Sequence, residues 1–238
     1  MERVRMRIAN DAEFLVNTSS LPAIIQNMKN CMASIKPIMQ DSTIRRTLYK
    51  VVSNDAESEV KTRWIRILDG DVDCDGTTRC TITFKDRKKD MSAKDEYALL
   101  KVDNYDDATH LFDLLGFEKS SYQENLRTKF VCIFDDVKYI IRFDIWPHIE
   151  DVAFVAIVSM SSSDERTICG LIEALDILQY DIRGDISESI NEDDINVPKS
   201  GTDVDSMYLQ RFNYPASLIP QVTFDFSLNI PITEQSKN

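Results

Sequence analysis

The chain has 238 residues, 43% apolar and 29% charged, which is ordinary globular composition and enough to bury one sizeable core. Its formal charge of -12 excludes a general nucleic-acid or membrane-surface binder, because sequence-independent affinity for phosphate backbones needs Lys and Arg spread over a broad face, so any anion site must be local and enclosed. Five widely spaced cysteines without a Cys-x-x-Cys pair, no bilayer-length apolar run and no signal-like apolar region behind the N-terminus predict a reduced, cytoplasmic protein without structural zinc.

Arg3-Val-Arg5-Met-Arg7-Ile alternates with period two, which predicts a strand carrying three guanidinium groups on one face, followed by a turn at Asn10-Asp11. From Ser20 to Met39 the residues Leu21, Ile24, Ile25, Met28, Met32 and Ile35 recur at helical spacing, with Ser19 or Ser20 as cap and Pro22 in the first turn. Arg45 to Ser53 and Lys61 to Leu68 read as strands around the acidic loop Asn54 to Glu59. A second acidic loop, Asp69 to Gly76, leads to a strand at Thr78 to Lys85.

Glu96 to Val102 is a further strand, and Asp106 to Leu115 a helix closed by Gly116. Arg127 to Phe134 and Lys138 to Ile145 form a hairpin around Asp135-Asp136, then come a strand at Ala153 to Val158 and a helix from Glu165 to Leu178. Asp181 to Asp194 reads as an acidic loop, and four of the seven prolines fall from Pro198 onward, which predicts an irregular wrap or tail. About eight mostly antiparallel strands with three helices make an α+β protein around one large curved sheet or barrel.

Several stretches carry more than periodicity: Trp64-Ile-Arg66, Thr81-Ile-Thr83-Phe-Lys85, Leu115-Gly-Phe117, Tyr122-Gln-Glu-Asn125 with Arg127, and Arg142-Phe-Asp144-Ile-Trp146-Pro147-His-Ile149. Arg46-x-x-Tyr49 and Ser206-Met-Tyr208 add weaker matches. Together they resemble the CYTH proteins, the superfamily of class IV adenylate cyclases, thiamine triphosphatases and RNA triphosphatases. The resemblance implies a closed or near-closed eight-stranded triphosphate tunnel over residues 1–210, with 211–238 as an extension. It also implies that strand residues of one parity point inward, basic ones toward a triphosphate and glutamates toward a divalent metal.

On that register Arg46, Arg66, Lys85, Arg127 and Arg142 are the tunnel bases. Where the family opens with Glu-x-Glu-x-Lys or Arg on its first strand, the matching positions are Arg3, Arg5 and Arg7, and where it closes with Glu-Ile-Glu the two glutamate positions are Ala156 and Val158. Hard divalent ions are held through carboxylate oxygens, which these residues lack. The expectation is therefore a nucleotide or polyphosphate held by Arg3, Arg5, Arg7, Arg46, Arg66, Lys85, Arg127 and Arg142, with no metal, no cofactor and no catalysis, in a monomer or homodimer. The bland readings are a solvated edge strand for the first three and structural ion pairing with Asp144 or Glu96 for Arg66, Lys85 and Arg127. Two alternatives stay open: a divergent cyclase or triphosphatase using Asp144, Glu96 or Glu150, and an interaction module that binds a protein partner and has a plugged tunnel.

Overall fold

The computed structural model describes residues 11–50, 60–88, 96–160, 165–182, 204–225 and 227–228. Nine strands form a single sheet: β1 (Asp11–Asn17), β2 (Ser34–Lys50), β3 (Val60–Val72), β4 (Thr78–Lys88), β5 (Glu96–Val102), β6 (Glu118–Phe134), β7 (Val137–Ile145), β8 (Val152–Ser159) and β9 (Gln221–Val222). The hydrogen-bonded path runs β1-β8-β7-β6-β2-β3-β4-β5, all antiparallel, with the short β9 parallel to β6. The helices are α1 (Leu21–Cys31), α2 (Tyr105–Leu114), α3 (Glu165–Leu175) and α4 (Val204–Phe212). Among the described residues no helix is long and apolar enough to cross a membrane.

Strand alternation sorts the side chains onto two faces. On the outer face Phe14, Val16, Ile141, Phe143, Val155 and Ile157 pack under α1 and α3 through Ile24, Met28, Leu171 and Leu175. Tyr49, Ile65, Ile67 and Cys80 pack under α2 through Tyr105 and Ala108. Asn104 caps α2 by accepting from the amides of Asp106 and Asp107, and Gly116, at φ 79°, lets the chain leave it. A further cluster gathers Leu15, Trp146, Ile149, Met207, Tyr208, Ala216, Ile219 and Val222, so the segment after α4 is packed onto the sheet. Ser121 and Gln123 on β6 both donate to the Ala216 carbonyl, which fixes that segment beside β9.

Of the closed or near-closed barrel expected, the antiparallel sheet is found but not its closure. Among the described residues β1 and β5 end the hydrogen-bonded path and do not pair with each other. Yet Glu13 and Phe14 on β1 and Leu99 on β5 line one cavity, so the sheet curls into an open trough. Alternation along each strand fixes which way a side chain faces, whereas closure depends on strand number, tilt and stagger taken together, which no local pattern carries.

Three local expectations are also corrected. Asp11 opens β1 and is not a turn, because Ala12, Phe14 and Val16 have core partners on one face and Leu15 on the other. The first helix stops at Cys31, and Ser34 to Met39 belong to β2, where Pro37 cannot continue a helix. Met32 and Ile35 reach the same apolar cluster as Ile24 and Met28, which is why the helical period reads on past the helix end. The helix from Glu165 becomes a 3-10 turn at Ile177 to Tyr180, after Asp176 adopts φ 53°. Residues 51–59, which include the whole of the predicted 54–59 loop, and Arg3, Arg5 and Arg7 lie outside the described residues.

One backbone feature decides what the trough contains. β3 continues through Asp69 to Val72 instead of looping out, and it carries a bulge: Leu68 faces Thr81, but Asp71 faces Arg79. The extra residue turns Asp71 to the inner face, against plain alternation. Gly70 makes the bulge, at φ 86°, where an added Cβ would stand 2.8 Å from the Thr43 carbonyl oxygen. Gly70→Ala is therefore expected to cost roughly 2 kcal/mol or more, against about 1 kcal/mol for Gly76→Ala, where φ is also positive but nothing crowds the site. Urea denaturation of the two variants checks this, and equal losses would remove the bulge's steric role.

Candidate functional site

The trough encloses a cavity of about 410 Å³ whose lining includes Arg46, Arg66, Arg79, Arg127 and Arg142 together with Glu13, Asp71 and Asp144. Five guanidinium groups face three carboxylates, an excess of two positive charges in an acidic protein. The lining comes from nearly every strand, because each contributes its inward parity: Glu13 on β1, Arg46 on β2, Arg66 on β3, Thr81 and Thr83 on β4, Leu99 on β5, Arg127 on β6, Arg142 and Asp144 on β7, and Ala156 on β8.

Most of this charge is spent internally. Arg127 grips Asp144 bidentately, Nε to Oδ1 at 2.6 Å and Nη2 to Oδ2 at 2.8 Å, and its Nη1 reaches Asp71 Oδ1 at 3.3 Å. Asp71 is also held by Lys129 at 3.1 Å and Arg79 at 3.0 Å, while Lys129 donates to the Val72 carbonyl at 2.5 Å. Arg79 continues to Asp73 at 2.6 Å. Burial alone pushes the Asp71 and Asp144 carboxyls up, but the cations around them outweigh it and hold both below the usual carboxylate range. Burial works against Arg127 as well, and Asp144 and Asp71 reverse it, raising its pKa. Arg127, expected to hold ligand, is thus committed to protein carboxylates, as in the structural ion-pairing reading.

Arg46 differs. It is 8% exposed, and among the described residues no carboxylate lies within ion-pair distance. Its Nη2 donates to Asn125 Oδ1, its guanidinium lies 4.4 Å from the centre of the Trp146 ring, and its Nε has no partner. Asn125 in turn donates to Asp144 Oδ1 at 3.0 Å, so one amide ties this guanidinium to the neutralised pair. Burial, reinforced by Arg66 and Arg127, pushes the Arg46 guanidinium well below its ordinary value. Arg66 stacks on Trp64 with its Nε also unpartnered, and burial with Arg142 and Arg127 nearby brings its pKa down to about 10. Arg142 is half-buried, and its ion pairs among the described residues are long, 3.6 Å to Asp144 and 3.7 Å to Glu13.

The structure therefore brings Arg46, Arg66, Arg127 and Arg142 together. Lys85 lies on β4 opposite Trp64 and Tyr97, and its side chain is outside the described residues. Sequence reasoning missed Arg79, Lys129 and Asp71 because only the Gly70 bulge turns Asp71 inward; Gly70 between two aspartates was the available signal. The partner of β8 is β1, so Asp11 and Glu13 stand opposite Val158 and Ala156, while the strand predicted at Arg3 to Ile8 lies outside the described residues.

The donors do not suit a divalent ion. Asp71 and Asp144 are each shared among several cations, and among the described residues no group of three or more His, Cys, Asp or Glu is placed to hold a metal.

No family model matches the sequence, and no curated protein matches it. Solved structures of similar fold include a putative adenylate cyclase from Vibrio parahaemolyticus, 14% identical over 71% of this chain and 86% of that one, with a TM-score of 0.46. The PH1012 protein from Pyrococcus horikoshii OT3 is 13% identical over 70% and 90% of the two chains, with a TM-score of 0.43. The putative adenylyl cyclase HpAC1 from Hippeastrum, described as having a dominant triphosphatase activity, is 10% identical over 73% and 88%, with a TM-score of 0.44. The likeness is one of chain path.

Proposed function

We propose that the trough binds a nucleotide or other polyphosphate without divalent metal, and that the protein senses, sequesters or reports this ligand rather than turning it over. One observation carries the reading: Arg46 is buried in the cavity wall without a carboxylate partner among the described residues. A buried charge left uncompensated is costly, and a ligand anion is the partner that would repay it. Arg66 and Arg142 add further positive charge on the same cavity, and guanidinium forks match phosphate oxygens in an enclosed, low-dielectric site. A catalytic reading through metal would need free carboxylates, and Asp71 and Asp144 are occupied by Arg127, Lys129 and Arg79. Open volume of about 410 Å³ is also room that a plugged interior would lack.

Thermal unfolding in EDTA tests the proposal. Tripolyphosphate or ATP at a hundred times its dissociation constant is expected to stabilise the chain by about 2.7 kcal/mol. No stabilisation by tripolyphosphate, ATP or GTP would reject it. Two variants separate the roles of the arginines. Arg46→Met is expected to keep or gain apo stability and lose the ligand response. Arg127→Met is expected to lose roughly 3–5 kcal/mol, because Asp144 and Asp71 are left buried against a reduced countercharge. Chemical denaturation without ligand measures both.

A further inference from the structure

Thr83 stands in the middle of the cavity wall, on β4, in register with Arg66 on β3 and Leu99 on β5. The residue is 6% exposed, and its hydroxyl oxygen is buried without a hydrogen-bond partner. In the middle of a sheet the neighbouring carbonyls are taken by the strand ladders, so this hydroxyl has no local acceptor to fall back on. Valine would have the same shape, a higher strand preference and no orphaned donor. A threonine kept there with nothing to bond calls for an acceptor that arrives from outside.

Its register partner supplies the other half. Directly opposed residues of an antiparallel pair place their Cβ atoms about 5 Å apart on the same face. Arg66 is held by its stacking on Trp64, and its Nε is a second buried donor without a partner. Two unsatisfied donors, one of them charged, thus line one cavity from neighbouring strands. A tetrahedral oxyanion accepts from both at once: the guanidinium supplies the countercharge, and the hydroxyl fixes where one oxygen sits.

We propose that Thr83 and Arg66 form a subsite for one phosphoryl group, with the Thr83 hydroxyl as the group that sets its position. This rests on the polyphosphate reading and adds to it a particular donor on β4. No covalent step is involved.

The test is titration calorimetry with inorganic tripolyphosphate in EDTA on the full chain, paired with thermal unfolding of the ligand-free protein. Thr83→Val is expected to weaken tripolyphosphate binding about tenfold, the effect of losing one hydrogen bond to a charged group. Its ligand-free melting temperature should equal or exceed that of the wild type, since a buried orphan donor is removed. Thr83→Ser should restore binding to within about threefold of the wild type. Wild-type affinity in Thr83→Val would overturn the subsite while leaving the polyphosphate site standing. A Thr83→Val protein that melts lower without ligand, or fails to fold, would give the hydroxyl a structural partner and overturn it too. A wild-type chain that binds no tripolyphosphate sinks the parent reading, and this one with it.

Discussion

The bidentate grip of Arg127 on Asp144, extended through Asp71 to Lys129 and Arg79, is the constraint the interior depends on. It joins β3, β4, β6 and β7 across the trough at a place where apolar side chains would otherwise have to fill the space. Buried ion pairs seldom add much net stability over a well-packed apolar core, because each charge must first be stripped of water. What they add here is geometry: every carboxylate in the network has at least two cationic partners, so none can turn toward a ligand without exposing another. The acids are thereby fixed in place, and the remaining guanidinium groups are left facing open volume.

Apolar packing is confined to the outer face and to one end of the trough. α1 and α3 cover β1, β7 and β8, α2 covers β2 to β4, and the Trp146 cluster closes the end toward α4. Trp146 belongs to both regimes. Its ring is buried among Leu15, Met207 and Val222, and its face carries the Arg46 guanidinium at 4.4 Å. A cation over an aromatic face is stabilised without a countercharge, so the ring offsets part of the cost of burying Arg46 while packing sets its position. The Trp-Pro turn thus reaches the site indirectly, through the arginine it supports.

Much of this was legible in the sequence. Period-two alternation located β4, β5, β7 and β8 to within a few residues, and the shared parity of Arg142 with Asp144 put those two side chains on one face. The failures have physical causes. A helical period carried through Met32 and Ile35 because an extended segment can deliver the same residues to the same core. Asp71 was read as loop because a bulge reverses parity, and parity was the instrument. Asp11 was read as a turn because Asp-Ala-Glu-Phe-Leu shows no clean alternation of apolar and polar residues, although Phe14 packs on one face of β1 and Leu15 on the other. Pairing is decided by what each face can bury, and that is a tertiary quantity.

The opposition between a chain of formal charge -12 and a cavity with excess positive charge also bears on what can enter. Exposed charges farther apart than about 8 Å are largely screened at physiological salt, whereas enclosed ones are screened far less. A long nucleic acid would have to lay many phosphates along the acidic exterior while only a few reached Arg46, Arg66 and Arg142, and its affinity would come mainly from the surface that repels it. A small polyanion of the kind proposed would enter whole and meet the interior field at close range. The same charge distribution therefore disfavours the polymer and favours the compact ligand, and it does so without any contact that recognises a base or a sugar.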